Sequence, residues 1–281
     1  MRNMTKLMLA LEFPTALLAA GSASAALITT FDYENISAFT AFSPVVGVSG
    51  SNPNGETYTL GAPPAVPGGI SGAPTTLSWG VGVPDPTLQS SLVIDNAKNS
   101  GQVDTNGPAV HDLTLTHNNN VITGQSLQTA TLSGALLLQA FTPPTGATLG
   151  PLIGVFHIKF KETPNATPCA VTPGTPCPDI FVLDEDPSVL DPFAIGIIDD
   201  YVYFLQLVLP DLQALNAAAC GQASAGAVCS GFATNENASN PFEVQFKITA
   251  QQIPQVPEPG MLALLGLGLA GLGFAQKRSR K

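Results

Sequence analysis

The chain has 281 residues, a formal net charge of −10 at pH 7, 25 prolines and 27 glycines. Residues 26–256 hold four lysines, no arginine and eighteen acids; such a surface excludes nucleic acid and anionic lipid as partners, because their affinity comes from Lys and Arg against phosphate. So many prolines and glycines also argue against long helices in the body.

The N-terminus carries Arg2 and Lys6, an apolar stretch broken by Glu12 and Pro14, and then Ala23-Ser24-Ala25. This order fits a cleavable signal helix over residues 1–25, read by the Sec translocon and a signal peptidase; an amphipathic N-terminal helix is the alternative. Residues 26–250 are expected to form the body. The stretch 45–74 is poor in long apolar runs and should be loop-rich. Strand candidates follow at "TYTL" (57–60), "TLSW" (76–79), "LTLT" (113–116), "ATLSGALLLQAF" (130–141), "VFHIKFK" (155–161), "IFVL" (180–183), "YVYFLQLVLP" (201–210) and "FEVQFKIT" (242–249). In 155–161 the alternation puts Phe156, Ile158 and Phe160 inward. In 242–249 it does the same for Phe242, Val244, Phe246 and Ile248. Residues 201–210 are apolar on both faces and should be central. The clearest helix candidate is "PDLQALNAAAC" (210–220). Short strands with Gly, Pro, Asn, Asp and Ser between them predict an all-β antiparallel sandwich, jelly-roll-like.

Cys169, Cys177, Cys220 and Cys229 form two local pairs. In an exported chain they are disulfide candidates. Three connectivities exist, and the spacing favours 169–177 with 220–229. Zinc is the alternative, but the spacings are long and no histidine is close in sequence.

After a linker at 251–256 the chain ends in Pro257-Glu258-Pro259, an apolar run from Met261 to Ala275, and Lys277, Arg278, Arg280 and Lys281. Fifteen apolar residues fall short of the ~20 that span a bilayer. A basic cluster behind them would stay on the cytoplasmic side. Residues 257–281 closely resemble the PEP-CTERM sorting signal of Gram-negative bacteria. The resemblance implies a short transmembrane sorting helix, recognition by an exosortase, and cleavage near the tripeptide.

A second resemblance covers most of residues 75–275. Thr116, His117 and Asn119 form a T-H-x-N pattern within "LTLTHNNNVITGQSLQTATL" (113–132), flanked by "TLSWGVGVPDPTLQSSLVI" (76–94), "FHIKFKETPNATPC" (156–169) and "CPDIFVLD" (177–184). Together these resemble the THxN family of PEP-CTERM proteins, which adds placement and architecture but no mechanism.

Several residues are site candidates. His117 is read as capping a turn of three asparagines, with a metal ligand or acid–base group as the alternative. His111, Asp112 and His117 form a weak metal triad. The acidic run Asp184, Glu185 and Asp186, with Asp179 before it and Asp199 and Asp200 after it, is read as a solvated loop. Calcium is the alternative, since hard oxygen ligands on loops suit that ion. Trp79 is read as core; a small sugar platform with Tyr58, Tyr201 or Tyr203 is the alternative. No G-x-S-x-G elbow or H-E-x-x-H is present, so no catalytic residue and no firm cofactor is assigned.

The expectation is a non-enzymatic exported protein. It passes through an inner-membrane intermediate to the cell surface or extracellular matrix, where it serves a structural or adhesive role with exopolysaccharide or biofilm. A calcium-dependent carbohydrate-binding module is the first rival. A polysaccharide-active enzyme, with two close carboxylates in a cleft, is the second.

Overall fold

The computed structural model describes residues 26–55, 58–60, 69–165, 168–169, 177–185, 187–254, 266–270 and 276. Alternating side chains and frequent turn residues favour strands over this span. In chain order these are β1 (Thr30–Ser43), β2 (Val48–Pro53), β3 (Pro74–Trp79), β4 (Val81–Gly82), β5 (Ser90–Asp95) and β6 (Lys98–Asp104). Then come β7 (Val110–Asn119), β8 (Ile122–Thr123), β9 (Thr129–Thr142), β10 (Thr148–Lys161) and β11 (Asp179–Leu183). After a 3₁₀ turn at Pro187–Leu190 follow β12 (Phe193–Ile198), β13 (Tyr201–Val208) and β14 (Gln213–Leu215). Helix α1 (Ala217–Gln222), β15 (Cys229–Thr234) and β16 (Ala238–Gln252) complete the body.

The strands form two seven-stranded sheets, in the orders β14-β15-β11-β10-β9-β1-β6 and β12-β13-β16-β7-β5-β3-β2, with a small β4–β8 ribbon. Neighbours within the sheets run antiparallel. The protein is thus an all-β antiparallel sandwich. Two apolar clusters fill the space between the layers. One joins Phe39, Leu132, Phe160 and Phe181 of the first sheet to Leu77, Trp79, Leu92 and Leu115 of the second. The other joins Phe31, Val103 and Leu138 to Tyr203, Phe246 and Ile248. Each of these side chains stabilises the fold by roughly 1.5–3 kcal/mol on burial. The alternation expected for 155–161 and 242–249 is present: Ile158, Phe160, Phe242, Phe246 and Ile248 are buried, and Phe156 and Val244 pack against them. β13 has neighbours on both sides.

β1 departs from simple alternation because both its faces are covered. Phe31, Tyr33 and Phe39 point to the other sheet, while Ile36 and Ala38 lie under Tyr58 and Ile70. The chain between β2 and β3 therefore straps the outer face of the first sheet. The buried Glu34 carboxylate fixes the strap: it accepts from the Thr59 amide (2.6 Å), the Leu60 amide (3.0 Å) and the Thr59 hydroxyl (3.0 Å). It also pairs with Lys98 at 3.1 Å. The expected strand at 57–60 is thus corrected: its described residues 58–60 are strap, not strand, because their amides bond a carboxylate instead of a ladder.

The helix expected over 210–220 is also corrected. Gln213–Leu215 pairs with β15 instead, and α1 begins at Ala217 behind the Asn216 cap, which accepts from the Ala219 amide at 2.9 Å. Ala219 and Ala223 cover the outer face of β11 at Ile180 and Val182. Both expected disulfides, Cys169–Cys177 and Cys220–Cys229, are formed. Among the described residues no helix is long and apolar enough to cross a membrane. Residues 266–270 and 276 are helical; the rest of the C-terminal run, the Pro257-Glu258-Pro259 tripeptide and the signal helix at 1–25 lie outside the described residues.

Candidate functional site

At one end of the sandwich the chain crosses between the sheets, from β15 through Asn235-Glu236-Asn237 into β16. Strand alternation on β7 sends His117 and Asn119 inward at this end, both fully or almost fully buried. Their common partner is Thr234, the last residue of β15 in the opposite sheet. His117 Nδ1 lies 3.0 Å from the Thr234 hydroxyl. Asn119 Nδ2 donates to the Thr234 carbonyl at 3.2 Å. The Thr234 hydroxyl in turn donates to the Asp179 carbonyl at 3.4 Å, which places the imidazole proton on Nδ1. The histidine and asparagine of the T-H-x-N pattern thus latch one sheet to the other. Thr116 points to the outer face and donates to Asp95 at 2.5 Å.

The imidazole is part of an aromatic stack. It lies over Trp79 at 5.5 Å with the planes 17° apart, and meets Phe160 at 5.4 Å and Phe181 at 4.9 Å edge-on. Burial lowers its pKa to about 3, so it is neutral. The expected turn at the three asparagines is corrected: β7 continues through Asn119, because inward pairing to Thr234 replaces a left-handed turn. His111 bonds Thr114 at 2.9 Å. It does not join His117 and Asp112 in any cluster of metal-ligating groups among the described residues.

What this end gathers is a set of carboxylates. Glu162 follows β10, Asp179 opens β11, and Glu236 sits in the crossover; their ligand oxygens lie within 4.8 Å of one another. Asp179 is fully buried and accepts from the Thr163 amide at 2.8 Å through Oδ1. Thr163 is anchored by its own hydroxyl, 3.1 Å from the Cys177 and Pro178 carbonyls, beside the Cys169–Cys177 bridge. Asp179 Oδ2, Glu162 Oε2, both Glu236 oxygens, Asn119 Oδ1 and Trp79 Nε1 are sealed from solvent and make no well-formed hydrogen bond, although the Trp79 indole faces Glu162 and the Asn119 amide faces Asp179 and Glu236.

Burial, then the Asp179 and Glu236 charges, then a hydrogen bond to the Asp179 carboxyl, push Glu162 up to about 9, with the Trp79 indole opposing. Burial pushes Asp179 up to about 7 against the Thr163 amide, and the Glu236 charge adds to it. Burial raises Glu236, with Asn165 and Asn119 working against it. Among the described residues no lysine or arginine acts on these three carboxyls. Three full charges with oxygens within 4.8 Å would repel one another by roughly 3 kcal/mol or more per pair at an effective dielectric constant of about 20.

The acidic run 184–200 behaves differently. Asp184 pairs with Lys159 at 2.9 Å. Glu185 accepts from the His157 amide at 2.8 Å and pairs with its ring at 2.6 Å. Asp199 turns the β12–β13 hairpin at φ 52°, and the Asp200 carbonyl accepts from Ile253. Asp186 lies outside the described residues. Among the described residues this run forms no cluster of three ligating groups, because its members are spent on β10 and on a turn. Trp79 is fully buried, as expected of core, and has no exposed face for a sugar. Sequence reasoning grouped Asp179 with the acidic run after it and missed Glu162 and Glu236. The one signal they share is that each lies within two residues of an end of a strand of the first sheet.

Fold and tail together define a class: a β-sandwich that carries a C-terminal sorting tail. Residues 255–279 match the PEP-CTERM protein-sorting motif. The motif marks an exported protein targeted by exosortase. No curated protein matches the chain.

Proposed function

We propose that this protein is a non-enzymatic component of the cell surface or extracellular matrix. In this reading it is released from an inner-membrane intermediate by exosortase and serves a structural or adhesive role with exopolysaccharide. The observation that carries the reading is the sorting motif at 255–279 joined to a sandwich braced by two disulfides. Disulfide-braced sandwiches suit an oxidising exterior. The T-H-x-N latch supports membership of the THxN group of PEP-CTERM proteins, since it gives His117 and Asn119 a shared structural task.

The rival reading, a polysaccharide-active enzyme, gains one observation: three carboxylates are close together. It loses on access. Asp179 and Trp79 are both fully buried, so a sugar ring would not reach the acid or stack on the indole.

Replacing Pro257-Glu258-Pro259 by alanines should leave unprocessed protein in the membrane fraction and deplete it from the exopolysaccharide fraction by tenfold or more. Equal recovery of wild type and variant with the polysaccharide would overturn this reading.

A further inference from the structure

We propose that Glu162, Asp179 and Glu236 form a calcium site that ties the β15–β16 crossover to both sheets, with the Asn119 side chain beside it. The argument begins with distance. Calcium binds oxygens at 2.3–2.6 Å, so oxygens on opposite sides of one ion lie about 4.6–5.2 Å apart. The three carboxylates place theirs within 4.8 Å.

Burial supplies the second observation. Buried polar atoms normally find partners. Here Asp179 Oδ2, Glu162 Oε2 and both Glu236 oxygens make no well-formed hydrogen bond; the groups that face them are one another and a few neutral donors, the Trp79 indole and the Asn119 and Asn165 amides. The Asn119 side chain, only 1% exposed, abuts the Asp179 and Glu236 carboxyls and leaves its Oδ1 without a partner. It is fixed there by its bond to the Thr234 carbonyl.

Donor chemistry selects the ion. The set is all oxygen and rich in carboxylate, which suits a hard cation. All four cysteines are bridged, and His117 commits Nδ1 to Thr234 within an aromatic stack. Three carboxylates offer up to six oxygens, within the six to eight that calcium takes. Magnesium demands a near-ideal octahedron and keeps several waters, which an enclosed cluster does not readily supply. Glu162 and Glu236 are partly exposed while Asp179 is not, so an ion would enter past the two glutamates. Because the acids come from the ends of β10 and β11 and from the crossover, the ion would close the sandwich end that His117 and Asn119 already latch.

The chain carries its own reporter. Trp79 is the lone tryptophan and faces Glu162 closely enough to favour its charged form. The test uses the full chain with both disulfides formed, stripped with EDTA and desalted, and Tb³⁺ as the probe under tryptophan-selective excitation. Sensitised emission is expected, with calcium displacing it. Calcium at a hundredfold excess over its Kd should raise the unfolding midpoint by about 5–10 °C. Asp179→Asn and, as a milder change in the crossover, Glu236→Gln should each weaken binding tenfold or more. Asp184→Asn, in the separate acidic run, should leave it unchanged. If folded wild type shows neither emission through Trp79 nor a thermal shift in 10 mM calcium, a concentration on the order of ten times the weakest extracellular sites, the site does not exist. Signals that persist in both Asp179→Asn and Glu236→Gln, or that magnesium displaces and calcium does not, would also overturn the assignment.

Discussion

Trp79→Ala is expected to cost about 3–5 kcal/mol of stability. The indole ends β3 and is fully buried. It stacks on His117 at 5.5 Å and packs on Phe160 at 5.2 Å. Alanine removes the largest buried side chain at this end and leaves a cavity that two rigid sheets cannot close. It also uncovers the imidazole, whose neutral state depends on burial. Trp79→Phe keeps most of the volume and the stack, and should cost far less. Urea unfolding of both variants separates the two cases. A loss below about 1 kcal/mol for Trp79→Ala, under the range for emptied core sites, would mean the indole is not the keystone of this core.

Glu34→Ala should cost about 1–3 kcal/mol, because it removes the buried acceptor that holds the strap. Lys98 would lose its carboxylate, and the Thr59 and Leu60 amides would lose their acceptor. The strap should then lift, and exchange protection at those two amides should collapse while β9 and β10 stay protected. The effect carries a pH signature. Burial works against the charged Glu34, but the Thr59 and Leu60 amides, Lys98 and the Thr59 hydroxyl outweigh it and hold its pKa below the ordinary glutamate value. A lowered folded pKa contributes stability above the unfolded pKa and loses it as pH falls through the folded one. The gap between wild type and Glu34→Ala should therefore be full at neutral pH and narrow in acid. A gap that widens in acid would contradict this arrangement of partners.

How far the sequence revealed the fold depended on what covers each strand. β16 and the second half of β10 each have one buried and one wet face, so their alternation is plain in "FEVQFKIT" and "VFHIKFK". β1 has two covered faces. Residues 33–39 are all buried and include Glu34, Asn35 and Ser37, so no period of two survives and β1, paired on both sides by β9 and β6, went unread. Its Glu34 holds the strap while Asn35 and Ser37 bond each other, tasks visible only once the strap and sheet are in place. The disulfides were legible because each closes a short local loop. The carboxylate site was not: Glu162, Asp179 and Glu236 meet only through sheet order, which sets β10 beside β11 and β11 beside β15. Asp179 was instead grouped with its sequence neighbours at 184–200, whose side chains turn to Lys159 and His157.

The central claim is that this sandwich is exported and freed from its tail by sorting at Pro257-Glu258-Pro259. Intact mass of the protein recovered from each cell fraction of the native host tests it most directly. The account predicts a mature species in the matrix fraction that lacks both the first 25 residues or so and the C-terminal run after the tripeptide. Full-length protein confined to the inner membrane would contradict it.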